Sequence, residues 1–576
     1  MKKTYIILSF VLVSSLLSAQ NKDTQVADKL FKKFEFISAA ESYLKLVATQ
    51  NADGYVYRQL ADCYYNIYNT KEAAKWYAKA ITQKQDPELY YRYAQMLKAN
   101  GNYAESNKQM QKFSEMQPND SRSKIFNENP NYVPVLLDQR KSFDVKPIDI
   151  NSDKSDFGAF LIDNTIYFTS ARNSNSKIYS WTKEPFLDIY KANLNEDGTI
   201  SNILLLKEIN SKYHDGSVSI TQDGSTMYFT SDSFRENSFE KDKASKLKLG
   251  RNNIFSAKFV NGKWDEITSL PFNSKDYSTG NPSISKDGKT LYFSSNMPGS
   301  IGGVDIWKVA ISETGSYGTP ENLGKSVNTE GNESFPFITS DNVLYFSSDA
   351  KQGLGAMDVY KIDLTKNSEA KNLGKPVNSE KDDFAFTINE NKNIGFVASN
   401  RNGNDDIFKL IPVCNYEVNA IVTNANSGEI LAEANVSILD DKSNIISTIK
   451  SNNKGEVSFT VDCEKTFTIQ AIKDGFEGNS FAVIASKKKG GSIKIDAVLK
   501  PISEIITEKE VKLNPIFFEY NKPFLTSSKF QKLVVEFKHG GSYIYDDVPH
   551  QTYTQFRLAP SQGSFFSKNI SKTFIM

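Results

Sequence analysis

The chain has 576 residues, with 69 basic against 68 acidic side chains and a net charge of +1. That length leaves room for three to five domains, and the balanced charge gives no electrostatic case for nucleic acid as a partner. Phenylalanine and tyrosine are abundant, at 38 and 28 residues, which suits strands and helical-repeat interfaces alike.

Met1-Lys2-Lys3 is a short positive region, Tyr5 to Leu17 is apolar, and Ser18-Ala19 supplies small residues for cleavage. This predicts a secretory signal peptide over residues 1–19, too short to span a bilayer as an anchor. No cysteine follows the cleavage site, so lipoprotein processing is not indicated. The expected location is therefore periplasmic.

From residue 20 to 120 the hydrophobic period is helical, and small residues recur at a fixed offset. Ala27, Ala61 and Ala94 are 34 and 33 residues apart, and Ala39, Ala73 and Ser106 each follow 12 residues later. The spacing predicts paired helices whose small residues permit close approach. Tyr57, Tyr64, Tyr90 and Tyr93 fall on the first helices of these pairs and are candidates for a protein-binding groove; the alternative is that they pack between helices. Cys63 reads as a buried, free thiol. Three pairs are near the minimum for a stable array, so support from the propeller or from a partner is expected.

Between Asp163 and Ser399 a motif recurs: DNTIYFTS, DGSTMYFTS, DGKTLYFSS, DNVLYFSS and the degenerate ENKNIGFVAS. Each copy is followed by a short strand, at Asp188-Ile189-Tyr190, Asn253-Ile254-Phe255, Asp305-Ile306-Trp307, Asp358-Val359-Tyr360 and Asp406-Ile407-Phe408. The serines ending the first strand, Ser170, Ser231, Ser295, Ser348 and Ser399, are 61, 64, 53 and 51 residues apart. A unit of four or so short strands cannot bury its own face and must stack radially, which predicts a β-propeller over residues 135–412. Five repeats set the lower bound, and NYVPVLLD before the first, read as strand-like, permits a sixth partial sheet; the chain from about residue 135 supplies the closing strand. A further echo precedes each blade: KPIDINS, KEINSK, LPFNSK, NLGKSVN and NLGKPVN. Asp223-Gly224 and Asp287-Gly288 read as tight turns, since Gly there supplies positive φ. The basic loop from Lys241 to Arg251 is either solvated or a dock for an acidic partner.

Catalytic chemistry is scarce. His539 and His550 lie in the tail and only His214 falls in the propeller, so neither a multi-histidine metal centre nor a Ser-His-acid triad can be assembled there. There is no G-x-S-x-G elbow, no phosphate-binding G-x-x-x-x-G-K-[ST] and no H-E-x-x-H helix. No catalytic residue, metal or cofactor is assigned, and the chain is read as a non-enzyme. Two competing readings remain: a propeller-based hydrolase or lyase, needing charged groups that converge on the axial mouth, and a purely protein-binding scaffold.

Residues 413–500 alternate as short strands and predict a β-sandwich. Cys414 and Cys463 are expected on its first strand and on a central strand. In an exported protein they form a disulfide, closing a loop whose separation of 49 residues contributes about 4 kcal/mol by chain entropy. Residues 501–576 form the last segment, in which Ile516 to Tyr520 is expected to be a strand.

Several of these segments resemble known families. The helical spacing, with Tyr57-Leu60-Ala61-Tyr64, Tyr90-Tyr93-Ala94-Leu97, Gly101, Tyr103, Met110 and Pro118, resembles tetratricopeptide repeats, which implies a groove for a peptide or partner helix. The DG-x-x-x-YF-x-S core resembles WD-repeat-like propellers of the TolB type. TNANSGEILAEANVSIL resembles the carboxypeptidase regulatory-like sandwich, which implies a spacer or docking module. LNPIFFEYNK, from Leu513 to Lys522, resembles the opening strand of the OmpA-like peptidoglycan-binding domain, whose later aspartate and arginine have no counterpart after Gly540. That domain reads as truncated or altered by a change of reading frame. The order of modules resembles OmpA-family multidomain envelope proteins of Bacteroidetes, some associated with type IX secretion and gliding. The resemblance implies an adaptor at the outer membrane that binds envelope proteins through the helical repeats and propeller and reaches the cell wall through its last domain. Peptidoglycan binding by this chain is expected to be weak or absent.

Overall fold

The computed structural model describes residues 23–241, 247–366, 368–463, 465–484 and 492–502, together with short stretches between 524 and 559. The signal peptide, the strand expected at Ile516 to Tyr520, His539 and His550 lie outside the described residues. The chain forms two compact units, up to Pro412 and from Val413 onward.

The first unit opens with helices α1 (Gln25–Lys32), α2 (Phe36–Ala48), α3 (Gly54–Asn66), α4 (Thr70–Ala80), α5 (Pro87–Lys98), α6 (Tyr103–Met116), α7 (Ser121–Glu128) and α8 (Val133–Leu137). Their starts are written in the sequence: Asp53, Asn69, Asp86, Asn102 and Asp120 each accept a hydrogen bond from a backbone N–H of the first turn. Such caps satisfy donors that the helix cannot, for about 1 kcal/mol each. The recurrent small residues lie at helix crossings, with Ala39, Ala61 and Ala73 fully buried. Where the third pair has Ser106, its hydroxyl donates to the Ala94 carbonyl at 2.8 Å, so α5 and α6 approach closely.

Five four-stranded antiparallel sheets follow. Blade 1 runs from Asp156 to Leu205, blade 2 from Asp215 to Ser269, blade 3 from Thr279 to Asn322 and blade 4 from Glu333 to Asn372. Blade 5 takes three strands from Asp383 to Pro412 and its outermost strand from Phe143–Pro147, paired antiparallel with Asp406–Pro412. The inner strands pack side by side around a closed ring. The YF motif places Phe168, Phe229, Phe293, Phe346 and Phe396 in the cores between blades, each at most 1% exposed. Each such burial stabilises by about 1.5–3 kcal/mol. The turns at Gly224 and Gly288 both have φ of +71°, with Asp223 and Asp287 accepting bonds from the backbone N–H two residues on.

The ring therefore has five blades, and NYVPVLLD builds no sixth sheet. Val133–Leu137 is helical, with Pro134 in the first turn, where its missing N–H costs nothing.

The second unit contains two four-stranded sheets spanning Asn415 to Pro501. Alternate residues Tyr416, Val418, Ala420 and Val422 of the first strand face a core shared with Val436, Ile438, Phe459 and Ile469. Asn415–Asn424 is central in its sheet, parallel to Ser492–Pro501 and antiparallel to the edge strand Glu456–Asp462. Further along, Phe524–Ser528, Lys532–Glu536 and Ser542–Asp546 form a three-stranded antiparallel sheet.

Candidate functional site

The repeated polar residues of the propeller are spent on one another. The first residue of each inner strand, Asp156, Asp215, Thr279, Glu333 or Asp383, is buried and sits opposite the serine of its neighbouring strand. Ser231 donates to Asp215, and Ser348 donates to Glu333 at 2.6 Å. A cation closes three of these arrangements: Arg172 on Asp156 at 2.7 Å, Arg235 on Asp215 at 3.6 Å, and Arg401 on Asp383. Burial pushes the Asp215 carboxyl up to about 6, against the Arg235 charge and the hydrogen bonds from Ser231 and Ser211, and the Glu333 carboxyl up to about 7, against the hydrogen bonds from Ser348 and Thr329.

The echo upstream of each blade is a clamp. Asn151, Asn210, Asn273, Asn328 and Asn378 each accept from the backbone N–H and donate to the carbonyl of a single residue: Ile407, Ile189, Ile254, Ile306 and Val359. Each asparagine stands in the segment leading to one blade and grips the third strand of the blade before it. Asn151 grips blade 5 and so closes the ring.

Two axial mouths remain. Every inner strand carries a bulge at its third residue, with positive φ at Gly158, Ser217, Asn281, Phe335 and Ala385. At the mouth where the inner strands begin, Phe157, Phe335 and Phe384 from blades 1, 4 and 5 pack with centroids 5.1–6.2 Å apart. Blades 2 and 3 put Gly216 and Gly280 near the start of theirs. A cleft of about 280 Å³ lies on the side of blades 2 to 4, lined by Asn252, Asn281, Asn296, Asn332, Ser294 and Asp349 among others. The buried Ser294 hydroxyl has no partner among the described residues. At the other mouth a cavity of about 430 Å³ is ringed by Ile162, Ile220, Ile284, Ile338 and Ile388, one per blade. Both mouths offer amide, hydroxyl and apolar groups, and charged side chains line them too: Asp349 at the first and Asp163, Lys286, Glu390 and Lys392 at the second. Among the described residues no three histidine, cysteine, aspartate or glutamate side chains are grouped to hold a metal.

The helices dock on the face where the inner strands begin. Tyr91 and Gln95 of α5 donate to the Asp349 carbonyl at 3.1 and 2.6 Å, and Tyr103 of α6 donates to the Leu354 carbonyl at 3.1 Å. Tyr132 reaches the Gly353 carbonyl at 2.9 Å, and Gln352 donates back to the Ile125 and Asn129 carbonyls. Trp181, from a loop of blade 1, stacks on Phe34 and donates to the Asn66 carbonyl at 2.9 Å.

The expected site residues fall as follows. Tyr93 is buried, so it is withdrawn from the partner surface. Tyr57 stacks on Trp76 and, like Tyr64, packs half-buried against the helical core, while Tyr90 is half-buried. Cys63 is buried and free, and burial pushes its thiol well up. Cys414 and Cys463 are disulfide-bonded, with Cα atoms 5.3 Å apart. Cys463 follows an edge strand rather than a central one, because the sandwich places Glu456–Asp462 outside Asn415–Asn424. His214 accepts from the Leu187 N–H through Nδ1, lies between Tyr179 and Phe186, and is held down to about 4 by burial. In the basic loop, Glu240–Lys241 pairs with Lys248–Leu249, and Arg251 holds Glu240 at 2.9 Å. The clamping asparagines and the arginines on the buried acids were not assigned roles from sequence. Their signal was the echo itself and an Arg two to four residues after Ser170, Ser231 and Ser399.

Residues 527–574 match the family model of the KTSC domain. This match overlays most of the segment that sequence alone gives as an OmpA-like remnant. No curated protein matches the chain. Among solved structures the chain is similar to a prolyl endopeptidase, at 12% identity over 74% of this chain and 55% of that one, with a TM-score of 0.23. It is also similar to the α-L-arabinofuranosidase of Lactobacillus brevis, at 13% identity over 44% and 89% of the two chains and a TM-score of 0.28. A third likeness is to a puromycin-hydrolysing peptidase of Mycobacterium tuberculosis, at 10% identity over 69% and 62% and a TM-score of 0.26. The chain spans about half the length of the prolyl endopeptidase. The class defined by the chain's own sheets is a multidomain protein built around a five-bladed β-propeller.

Proposed function

We propose that this chain is a non-enzymatic adaptor of the cell envelope, exported to the periplasm and associated with the outer membrane. In this reading the helices are tetratricopeptide-type repeats, and they and the propeller hold envelope proteins, among them components of a machine of the type IX secretion or gliding kind. The sandwich is a regulatory-like spacer toward the C-terminal segment. The observation that carries the reading is the use of the repeated polar residues. Serines, acids and asparagines that recur in every blade hold strands and blades together, and the propeller's His214 is buried without a serine partner. No wall-binding role is assigned to the last segment, because the match at 527–574 is to the KTSC domain. The test is a pull-down of the exported chain on purified peptidoglycan beside turnover assays with peptide and glycan substrates. Recovery of neither wall binding nor turnover is expected. Saturable turnover abolished by substitutions at the cleft of Asp349 would replace the adaptor with the hydrolase reading.

A further inference from the structure

We propose that the cleft on the side of blades 2 to 4 is a binding site for a neutral hexose residue, held by side-chain amides against an apolar wall. The polar residues that recur in every blade are engaged with one another, so unused polar groups mark where the propeller does more than close its ring. Among the residues lining this cleft, Asn252 and Asn281 make no side-chain hydrogen bond to any described residue. Asn332 uses its Nδ2 on Asp349, while its Oδ1 has no partner among the described residues.

These unused groups have local causes. In blades 4 and 5 the residue after the conserved-pattern serine closes on the residue that precedes the inner strand: Asp349 accepts from the backbone and side chain of Asn332, and Asn400 accepts from the Asp382 N–H and donates to its carboxylate at 3.5 Å. In blade 3 that position is Asn296, whose Oδ1 accepts from the Ser278 N–H at 2.7 Å. Ser278 is too short to take the other end, and its hydroxyl accepts from the Asn252 N–H instead, so the Asn296 Nδ2 has no partner among the described residues. Asn281 stands at the bulge position that Gly158, Ser217, Phe335 and Ala385 fill in the other blades, so its amide is no part of the repeat. The Ser294 hydroxyl, in a residue 4% exposed, is also without a partner, whereas Thr230 at the same place in blade 2 accepts from the Asn281 N–H at 2.9 Å.

A carboxamide presents a donor and an acceptor side by side, which is what adjacent hydroxyls of a pyranose require. Phe335, packed against Phe157 and Phe384, and Met357 supply the apolar wall for the C–H face of the ring. No lysine or arginine is among the described residues lining the cleft, so nothing there pairs with a carboxylate or phosphate. Its carboxylate, Asp349, has both oxygens on Asn332, which leaves little to attract a cation. The ligand that matches is therefore neutral, rich in hydroxyls and apolar on one face. The inference concerns binding alone and does not depend on the adaptor reading.

The test is saturation-transfer NMR on the whole chain with glucose, galactose and mannose, beside a capped tetra-alanine peptide. Transfer to the ring protons of at least one sugar is expected, and in the Asn252→Ala, Asn281→Gly double variant its Kd is expected to rise by about tenfold or more. Neither side chain has a partner to lose, and glycine tolerates the φ of +51° at position 281, so the variant is expected to keep the Tm of the unaltered chain. If it does not fold, Asn252→Ala alone is expected to raise the Kd by about threefold. Gln222→Ala, at the opposite mouth, is expected to leave binding unchanged. Absence of transfer to every sugar, equal binding by a folded cleft variant, an equal loss in Gln222→Ala, or stronger transfer to the peptide that the cleft variant abolishes would overturn the proposal.

Discussion

Replacing Asn328 with alanine removes one of the five clamps. Asn328 is 2% exposed; its Oδ1 accepts from the Ile306 N–H at 2.8 Å and its Nδ2 donates to the Ile306 carbonyl at 3.0 Å. Ile306 is fully buried, so no water replaces the lost partner. Two stranded backbone groups at about 1–3 kcal/mol each give a loss of about 2–6 kcal/mol. For a propeller of this size, with an unfolding entropy of about 2.1 cal/mol/K per residue, that lowers Tm by roughly 3–11 °C. Scanning calorimetry with near-ultraviolet circular dichroism would follow the transition of the first unit. Asn151→Ala, at the joint that closes the ring, is expected to cost a similar amount, since its two bonds to Ile407 are 2.9 and 2.8 Å long. A loss below about 0.5 kcal/mol at both sites, the level of an ordinary surface change, would refute the role assigned to the clamps.

Reduction of the Cys414–Cys463 bond is expected to lower the stability of the second unit by about 4 kcal/mol and leave the first unit's transition in place, as read by urea titration with and without reductant. In the native chain without reductant, Cys63 is expected to resist a maleimide and to react once unfolded, because it is fully buried. Glu333 is raised to about 7 by burial, so the folded propeller binds its proton more tightly than the unfolded chain, and this contribution declines as pH climbs from about 4.5 through 7. Glu333→Gln is expected to flatten that decline in urea titrations across the same range; an unchanged slope would count against it. Peptidoglycan pull-down of the chain is expected to recover little or nothing, and tight binding lost on deleting residues 513–576 would contradict that outcome.

Much of the fold was legible because it is periodic. The YF-x-S copies gave the blades, and the small residues at Ala27, Ala61 and Ala94 gave the helix pairs. The helix caps at Asp53, Asn69, Asp86, Asn102 and Asp120 are local signals of the same kind. What stayed hidden depends on distant residues. A closing strand from about residue 135 was expected, but its place was not: it lies at Phe143–Pro147, on the edge that Asp406–Pro412 leaves open, whereas NYVPVLLD turns helical. The pairing of Tyr103 with Leu354, or of Tyr91 and Gln95 with Asp349, joins residues some 250 positions apart and leaves no local trace. The asparagine echo was visible as a repeat, but its role emerged only when each side chain met the strand of the preceding blade. The tyrosines were ambiguous for a different reason: an amphipathic ring suits a groove and a helix crossing equally well, and burial decides between them.

The closing strand also sets how this molecule carries a load. The chain joins the ring at Phe143 and leaves it at Pro412, and these two residues face each other across the same end of one antiparallel pair. Tension that enters the ring along the backbone at Phe143 and leaves it at Pro412 therefore pulls on a single seam from its open end. Its hydrogen bonds meet the force one after another, from Phe143 and Pro412 toward Pro147 and Phe408, so the seam peels rather than shears. Under such tension the outermost strand of blade 5 is thus the first part of the ring to part.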